Sequence, residues 1–279
     1  MGSQNGFTLS AFADEISPDL DIQVKTLARL NVPGLDLRSV GGINVLDLTL
    51  EDLQRVHDAC AEHGLHVQAI GSPVNKVTYD PLHEAREFDR LHRAIKAAHR
   101  VNVKRIRIFT PMVQEDRMDA DAARVIAWMS AQRNLAADEG VVLIHENDDR
   151  YWGAHPANAK RLMESIGSEN FRFAYDFANT VLQGYRTLKD WFPWLLPYLD
   201  TLHIKDAIEA DHKIVPAGEG EGELVDTFTW LKAQGWSGPL TIEPHLAAAG
   251  PTGGFSGEQL FEVAVNALRK TASEAEIHV

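Results

Sequence analysis

Leu143-Ile144-His145-Glu146-Asn147 lies near the middle of the 279-residue chain, and its first two residues end an apolar run that begins at Val141. Such a short run, rich in β-branched and aliphatic residues, is typical of a buried strand. It leads directly to the carboxylate of Glu146. An unpaired carboxylate in an apolar environment costs on the order of several kcal/mol, so a buried strand that ends here needs a partner for that charge.

Three strand-like runs downstream repeat this pattern, and each ends in a residue type that binds metal ions. The carboxyl ends of parallel strands meet at one edge of a sheet, so the four end residues are expected to lie close together. Their spacing of 30, 27 and 40 residues suits one strand and one helix between successive members. The further runs are 171–175 before Asp176, 200–202 before His203, and 239–242 before Glu243.

The whole chain alternates eight strand-like with eight helix-like segments, which predicts a parallel sheet closed into a (β/α)8 TIM barrel. We expect one domain over residues 1–279. A doubly wound open sheet is the alternative, but it usually has a glycine-rich turn after its first strand, and Ala13-Asp14-Glu15-Ile16 has no glycine. A sixth helix is predicted at 188–199, and the predicted strands are 8–13, 34–37, 65–70, 104–109, 141–146, 171–176, 200–203 and 239–243.

Composition excludes some partners. Hydrophobic residues make up 44% and charged residues 24% of the chain, as in ordinary globular proteins. The net charge of −13 opposes binding to nucleic acid or to an anionic membrane, and no apolar stretch is long enough for a membrane span. Cys60 is the only cysteine, so no disulfide forms within the chain, in keeping with a cytoplasmic location.

The expected cluster of Glu146, Asp176, His203 and Glu243 is a candidate metal site. Its mostly oxygen donors favour Mn²⁺, with Mg²⁺, Co²⁺ and Zn²⁺ as alternatives. Glu146 and Glu243 approach from different strands, so they are candidates to remove and return a proton beside a sugar carbonyl. His145 should point away from Glu146 on a strand, as a core residue, unless a bulge turns it inward as a base.

Five motifs together carry a resemblance to a known family. They are Ile144-His145-Glu146-Asn147, Tyr175-Asp176-Phe177-Ala178-Asn179, His203-Ile204-Lys205-Asp206, Pro216-Ala217-Gly218-Glu219-Gly220 and Ile242-Glu243-Pro244-His245. The chain resembles the sugar phosphate isomerase/epimerase superfamily of xylose isomerase-like barrels, which includes ketose 3-epimerases, inosose dehydratase and endonuclease IV. The resemblance implies that Glu146, Asp176, His203 and Glu243 bind the metal and that Glu146 and Glu243 transfer the proton.

One feature of the sequence differs from the ketose epimerases, and another resembles a different group of enzymes. Asn179 stands where those enzymes usually carry a substrate-binding histidine. The motifs 13–16, 145–147 and 243–246 are also similar to the catalytic subunit of C-glycoside deglycosidases, which are metal-dependent lyases acting on 3-oxo-glycosides. That resemblance implies a catalytic His145 and a small β-rich partner subunit.

The sequence therefore predicts a metal-dependent sugar isomerase or epimerase, with a lyase on keto-glycosides or a keto-sugar dehydratase as the alternative. A DNA-repair endonuclease would need more histidines and a basic face, and a noncatalytic sugar-binding subunit would not need paired carboxylates. The expected partner is a small carbohydrate, and a homo-oligomer is expected. Arg107 could equally be an ion-pair partner inside the barrel, and Lys205 a partner of Asp206. The candidates for substrate binding are Arg38, Arg107, Asn179, Lys205 and His245.

Overall fold

The centre of the computed structural model, which describes residues 6–250 and 253–279, is a closed barrel of eight parallel strands. The strands pair in chain order, and β1 closes the ring by pairing with both β2 and β8. The predicted (β/α)8 barrel is confirmed. Its strands are β1 Thr8–Ala11, β2 Gly34–Leu37, β3 His66–Gly71, β4 Arg105–Ile108, β5 Val142–Glu146, β6 Phe171–Asp176, β7 Leu199–Ile204 and β8 Pro239–Ile242.

Helices connect successive strands, and their ends follow local sequence signals. The side chain of Thr49 accepts a hydrogen bond from the backbone N–H of Asp52, whose carboxylate accepts in turn from the N–H of Thr49, and this capping box begins α2. No helix among the described residues is long and apolar enough to cross a bilayer. The helices are α1 Leu20–Arg29, α2 Leu50–Glu62, α3 Pro81–Arg100, α4 Met118–Asp138, α5 Pro156–Ile166, α6 Phe177–Leu182, α7 Phe192–Leu195, α8 Leu224–Ala233 and α9 Gly257–Glu274.

In the connection between β6 and β7, helical turns cover residues 187–198, close to the helix predicted at 188–199, but they do not form one regular helix and a further helix precedes them. Helix α6 begins directly after β6, because Asp176 Oδ1 accepts the N–H of Asn179 at 2.8 Å and caps it. A π-helical turn, the four-residue α7 and a 3₁₀ turn then follow in place of a regular helix. Pro193 and Pro197 lack the N–H that a regular helix needs, which explains the interruption.

Aromatic side chains fill the space between this connection and the barrel. The ring centroids of Phe173 and Tyr175 lie 5.7 and 5.5 Å from that of Trp191, and all three side chains are fully buried. Rings at these distances pack with favourable edge and tilted contacts. The ends of β6 and β7 are therefore held by a rigid core.

Asp206, two residues after the end of β7, fixes the loop that leads to α8. Its carboxylate accepts backbone hydrogen bonds from Ala207 at 2.9 Å, Gly218 at 3.0 Å, Gly220 at 3.0 Å and Gly222 at 2.9 Å. A Cβ on Gly220 would lie 2.4 Å from the carbonyl oxygen of Ala207, so only glycine fits there. The glycine-containing motif thus wraps around one carboxylate.

We expect Asp206→Asn to lower the free energy of unfolding by about 2–3 kcal/mol, because an amide accepts through one oxygen only and turns its NH₂ towards other donors. Chemical denaturation measures the change. Asp211→Asn, at the exposed tip of the short hairpin formed by 206–208 and 213–215, is the control and should change stability by less than about 0.5 kcal/mol. Equal stability of the two variants would contradict the role given to Asp206.

Candidate active site at the mouth of the barrel

Glu146, Asp176, His203 and Glu243 converge at the carboxyl ends of four neighbouring strands. Glu146 and Asp176 end β5 and β6, His203 is the penultimate residue of β7, and Glu243 follows β8. The parallel register pairs Asp176 with His203 across two strands. All four side chains are buried, and each offers one ligand atom within 4.8 Å of the others. The structure therefore brings together the four residues predicted as metal ligands.

The donor atoms of this cluster suit a divalent cation. Glu146 Oε2, Asp176 Oδ2, His203 Nδ1 and Glu243 Oε2 are buried and form no hydrogen bond of good geometry within the described parts of the chain, although each lies within 4 Å of an oppositely charged or titratable group. Buried polar atoms in native proteins nearly always have a partner. One such atom comes from each of the four residues, and a cation that prefers oxygen and imidazole ligands would satisfy all of them at once.

Arg38 balances the charge on one side of the cluster. Its guanidinium group lies at the end of β2 and donates to Glu243 Oε1 at 2.8 Å and to Asp14 Oδ2 at 2.8 Å. Glu15 Oε1 is 3.6 Å from the same group. Because all four side chains are largely buried, these contacts are shielded from solvent, and Arg38 compensates three carboxylates that would otherwise repel one another.

Two further cations face the other carboxylates. Arg107 Nη1 lies 3.2 Å from Glu146 Oε2, and Lys205 Nζ lies 2.9 Å from Asp176 Oδ2 and 3.7 Å from Glu243 Oε2. Lys205 therefore pairs with Asp176, and the predicted pairing with Asp206 is wrong. The two possibilities considered for Arg107 are compatible, because it forms an ion pair inside the barrel mouth and also lines the cavity above it.

Phe12 contacts both arginines. The Cζ atoms of Arg38 and Arg107 each lie 4.8 Å from the centroid of its ring, and the ring of His203 meets it edge-on at 5.4 Å. A guanidinium group is attracted to the face of an aromatic ring. Phe12 thus gives two like charges a shared apolar support next to the candidate metal ligands.

The carboxylates of the cluster have different electrostatic environments. Burial acts to raise the pKa of Glu146, but the charges of His203 and Arg107 outweigh it and lower the pKa to about 2. Burial raises the pKa of Asp176 to about 6, and Lys205 offsets only part of that effect. Glu146 is therefore the more strongly ionised of the two at the site.

A cavity of about 330 Å³ opens above the cluster, within the range of small-ligand sites. The structure places all five predicted substrate-binding residues, Arg38, Arg107, Asn179, Lys205 and His245, in its wall. Their binding role stays a prediction.

The wall also contains residues that sequence reasoning missed. Lys76, from the loop after β3, forms an ion pair with Asp148, from the loop after β5. Glu15 lies behind the wall and contacts His245 Nε2 at 3.1 Å. The unusual length of the loop after β3 was the available signal for Lys76, because long loops at a barrel mouth often contribute to function.

His145 is the predicted site residue that the structure does not bring to the cluster. Strand β5 pairs with both neighbours without a bulge, so His145 points away from Glu146. Its ring is fully buried, 5.2 Å from that of Phe173 and against Gly153. Burial lowers the pKa of His145 to about 3, so the ring is neutral and belongs to the packing around the barrel.

The fold and the positions of these residues can be compared with known proteins. Residues 24–271 match the family model described as the xylose isomerase-like TIM barrel. The chain belongs to this family. No curated protein matches this member at a significant level.

Solved structures with low sequence identity share the fold of this xylose isomerase-like barrel. D-Psicose 3-epimerase with D-tagatose from Clostridium cellulolyticum H10 has a TM-score of 0.72 at 14% identity, covering 96% of this chain and 99% of that chain. The 3-keto-D-glucoside 4-epimerase from E. coli has a TM-score of 0.70 at 17% identity, and the match covers 96% of this chain and 99% of that chain. A xylose isomerase-like TIM barrel protein from Mycobacterium smegmatis in complex with magnesium has a TM-score of 0.69 at 13% identity, and the match covers 97% of this chain and 97% of that chain.

We expect Arg38→Met to lower the free energy of unfolding by about 3–5 kcal/mol, because it leaves buried carboxylates without a compensating charge. Denaturation in the presence of a chelator measures this effect. Arg29→Met is the control, because Arg29 pairs with Glu262 at 2.7 Å but both side chains are about half exposed, and such pairs contribute about 0–1 kcal/mol. A similar loss in both variants would contradict the role of Arg38. Addition of Asp14→Asn to Arg38→Met should recover part of the stability.

Proposed function

We propose that this protein is a divalent-metal-dependent isomerase or epimerase of a small carbohydrate. The observation that carries the proposal is the meeting of Glu146 and Glu243, from β5 and β8, around the same buried point as Asp176 and His203. A cluster used only for packing would not concentrate three carboxylates on the floor of an open cavity.

The proposed metal ligands are Glu146, Asp176, His203 and Glu243. Three oxygen ligands and one imidazole favour Mn²⁺, with Mg²⁺ or Co²⁺ as close alternatives. When bound, such an ion would polarise the sugar carbonyl and stabilise the negative charge that develops on its oxygen.

Glu146 and Glu243 are the proposed proton-transfer pair. One carboxylate removes a proton from the carbon next to the carbonyl, and the other returns a proton to the opposite face, which inverts that carbon. Return of the proton to the former carbonyl carbon, with transfer of the neighbouring hydroxyl proton to the former carbonyl oxygen, instead gives an isomer. The hydrogen bond from Arg38 to Glu243 Oε1 keeps one oxygen of that carboxylate in a fixed position. Proton transfer needs such positioning, because the reacting atoms must lie within hydrogen-bonding reach.

The cavity wall supports a polyhydroxylated substrate. Asn179, Lys205 and His245 supply polar groups that can hydrogen-bond to hydroxyls, and the cavity is of a size for one sugar. The D-psicose and 3-keto-D-glucoside epimerases that share the fold support this class of substrate.

A lyase that acts on a keto-sugar or keto-glycoside would share the first proton abstraction and then expel a leaving group. The version predicted from sequence uses His145 as a base, and that residue lies away from the cavity. We therefore assign both proton transfers to carboxylates and keep elimination as an outcome that experiment can distinguish.

Glu146→Gln should keep the fold but lower the rate of proton exchange by about 10²–10⁴-fold, because an amide cannot act as a base. Metal-loaded protein is incubated with ketoses in deuterium oxide, and loss of the carbon-bound proton signal is followed by NMR. Glu219→Gln, an exposed change in the loop above the barrel, is the control and should exchange like the wild type. Wild-type rates in Glu146→Gln would reject its assignment. Release of an aglycone or water without exchanged sugar would favour the lyase.

Asp176→Asn should weaken binding of Mn²⁺ at least tenfold. The amide oxygen can still accept the N–H of Asn179 and cap α6, but one charged ligand is lost. Calorimetric titration of chelator-treated protein with MnCl₂ measures the affinity. The wild type should also gain about 2.7 kcal/mol of stability at a hundredfold excess over Kd. Asp58→Asn, on the exposed surface of α2, should bind Mn²⁺ as the wild type does. Unchanged affinity in Asp176→Asn would reject this ligand.

A further inference from the structure

Lys76 and Asp148 form a largely buried ion pair that the proposed proton transfer does not use. Lys76 lies in the loop after β3 and Asp148 in the loop after β5, so the pair joins two loops at the mouth of the barrel. Lys76 Nζ is 2.5 Å from Asp148 Oδ2, and the two side chains are only 14% and 17% exposed. Both line the cavity of the candidate active site. A desolvated ion pair is often no more stabilising than apolar residues of similar volume, so stability alone does not account for this pair.

The residue before Lys76 is held by a buried polar network. Asn75 is fully buried and has a positive φ of 69°. Its backbone N–H donates to Glu87 Oε2 at 2.7 Å, and its side-chain amide donates to the carbonyl oxygen of Phe109 and to Gln132 Oε1, both at 2.8 Å. Gln132 donates in return to Asn75 Oδ1 at 3.0 Å. Buried networks of this kind specify one conformation, so the loop presents Lys76 from a rigid base.

Aromatic rings support the ammonium group of Lys76. Its Nζ lies 4.3 Å from the centroid of the Phe109 ring and 5.7 Å from that of the Tyr151 ring, and both rings are buried. The attraction of a cation to the face of an aromatic ring adds to the ion pair with Asp148. The ammonium group therefore has a defined position in the cavity wall, which is what a binding group needs.

Asp148 lies on the same side of the chain as Glu146, two residues further on. The side chain of Asn147, between them, is fully buried and donates to the backbone carbonyl oxygen of Asp176 at 2.9 Å. Side chains alternate along an extended backbone, so Asp148 returns to the cavity, whose wall it lines. Two residues advance the chain by at most about 7 Å. A six-carbon sugar with its reacting carbon at Glu146 can therefore reach Asp148 with its far end.

The pair of Lys76 and Asp148 places a hydrogen-bond donor beside an acceptor, which matches a hydroxyl group. A hydroxyl can donate to the carboxylate while it accepts from the ammonium group. A carboxylate has about four acceptor sites and an ammonium group three donors, so Lys76 alone cannot saturate Asp148. A phosphate group in the same position would bring its own negative charge against the carboxylate. The arrangement therefore favours an unsubstituted hydroxyl.

We propose that Lys76 and Asp148 bind the hydroxyl group at the end of the sugar that is remote from the reacting carbon, and that they select substrates by this group. This proposal rests on the proposed function. The reacting carbon lies over the carboxylate cluster, and the remote hydroxyl reaches the pair. A sugar without this hydroxyl would desolvate Asp148 and leave one of its acceptor sites unfilled. Sites built to hydrogen-bond a hydroxyl reject the analogue that lacks it for this reason.

The test compares D-fructose and D-psicose with the 6-deoxy analogue of each, and with D-fructose 6-phosphate. Calorimetry measures binding and NMR in deuterium oxide measures proton exchange, with Mg²⁺ in every sample. The test variant is Lys76→Met/Asp148→Leu, which removes both charges of the pair together. The matched control is Lys25→Met/Asp21→Leu, which makes the same changes in an exposed pair on α1. Thermal unfolding checks that both variants are folded.

We expect the wild type and the control to bind at least one of the two ketohexoses at least about tenfold more tightly than its 6-deoxy analogue, and the test variant to bind both alike. A pair that only joined the two loops would, when removed, weaken binding of the ketohexose and of its analogue to the same extent, and this result would overturn the proposal. Equal binding of both by the wild type would also overturn it, as would binding of neither ketohexose or tighter binding of D-fructose 6-phosphate than of D-fructose.

A second variant, Asp148→Asn, keeps the size of the side chain and decides the question if the double variant does not fold. It should lower the preference for the ketohexose, and an unchanged preference would overturn the proposal. Binding and proton exchange separate this proposal from the proposed function. A preference that the variants lose, without exchange in any sugar, would support the pair and count against the isomerase chemistry. Exchange at equal rates in a ketohexose and its 6-deoxy analogue would overturn the role of the pair and leave the isomerase chemistry intact.

Discussion

Repulsion among the buried carboxylates of Glu146, Asp176 and Glu243 is the constraint on which the barrel mouth depends. Charges this close in a low-dielectric interior cannot stay ionised without compensation. The compensation is distributed over the barrel, with Arg38 at the end of β2, Arg107 on β4 and Lys205 after β7. Each cation comes from a strand or strand end rather than a long loop, so the charge balance is built into the most rigid part of the fold.

The same arrangement explains why apolar residues occur inside a charged site. The ring of Phe12 supports Arg38 and Arg107 on its faces and meets His203 at its edge. Outside the barrel, His145 and Phe173 pack with the aromatic core behind the same strand ends. The side chains of the candidate site therefore point to one side of each strand, and the side chains that pack against the surrounding core point to the other.

The barrel and the meeting of Glu146, Asp176, His203 and Glu243 could be predicted because both follow from local patterns. Apolar runs identify the strands, and parallel closure brings their ends together. Other features depend on contacts that no local pattern encodes. Arg38 and Glu243 are 205 residues apart, and the choice of Asp176 over Asp206 as the partner of Lys205 depends on side-chain directions. The 188–199 prediction located the helical segment to within one residue, but it did not show that the segment is divided into turns of three kinds around Pro193 and Pro197.

The two oxygen atoms of Asp176 make different contacts. Oδ1 holds the first turn of α6, the helix that bears Asn179, while Oδ2 faces the cluster. Because both oxygens belong to one rigid carboxyl group, a movement of Asp176 within the cluster would also move the cap of α6. Glutamate at this position would keep the charge, but its side chain is longer by one methylene group. Asparagine would keep the length of the side chain but lose the charge. Neither substitution would therefore keep both the helix cap and the charge that faces the cluster.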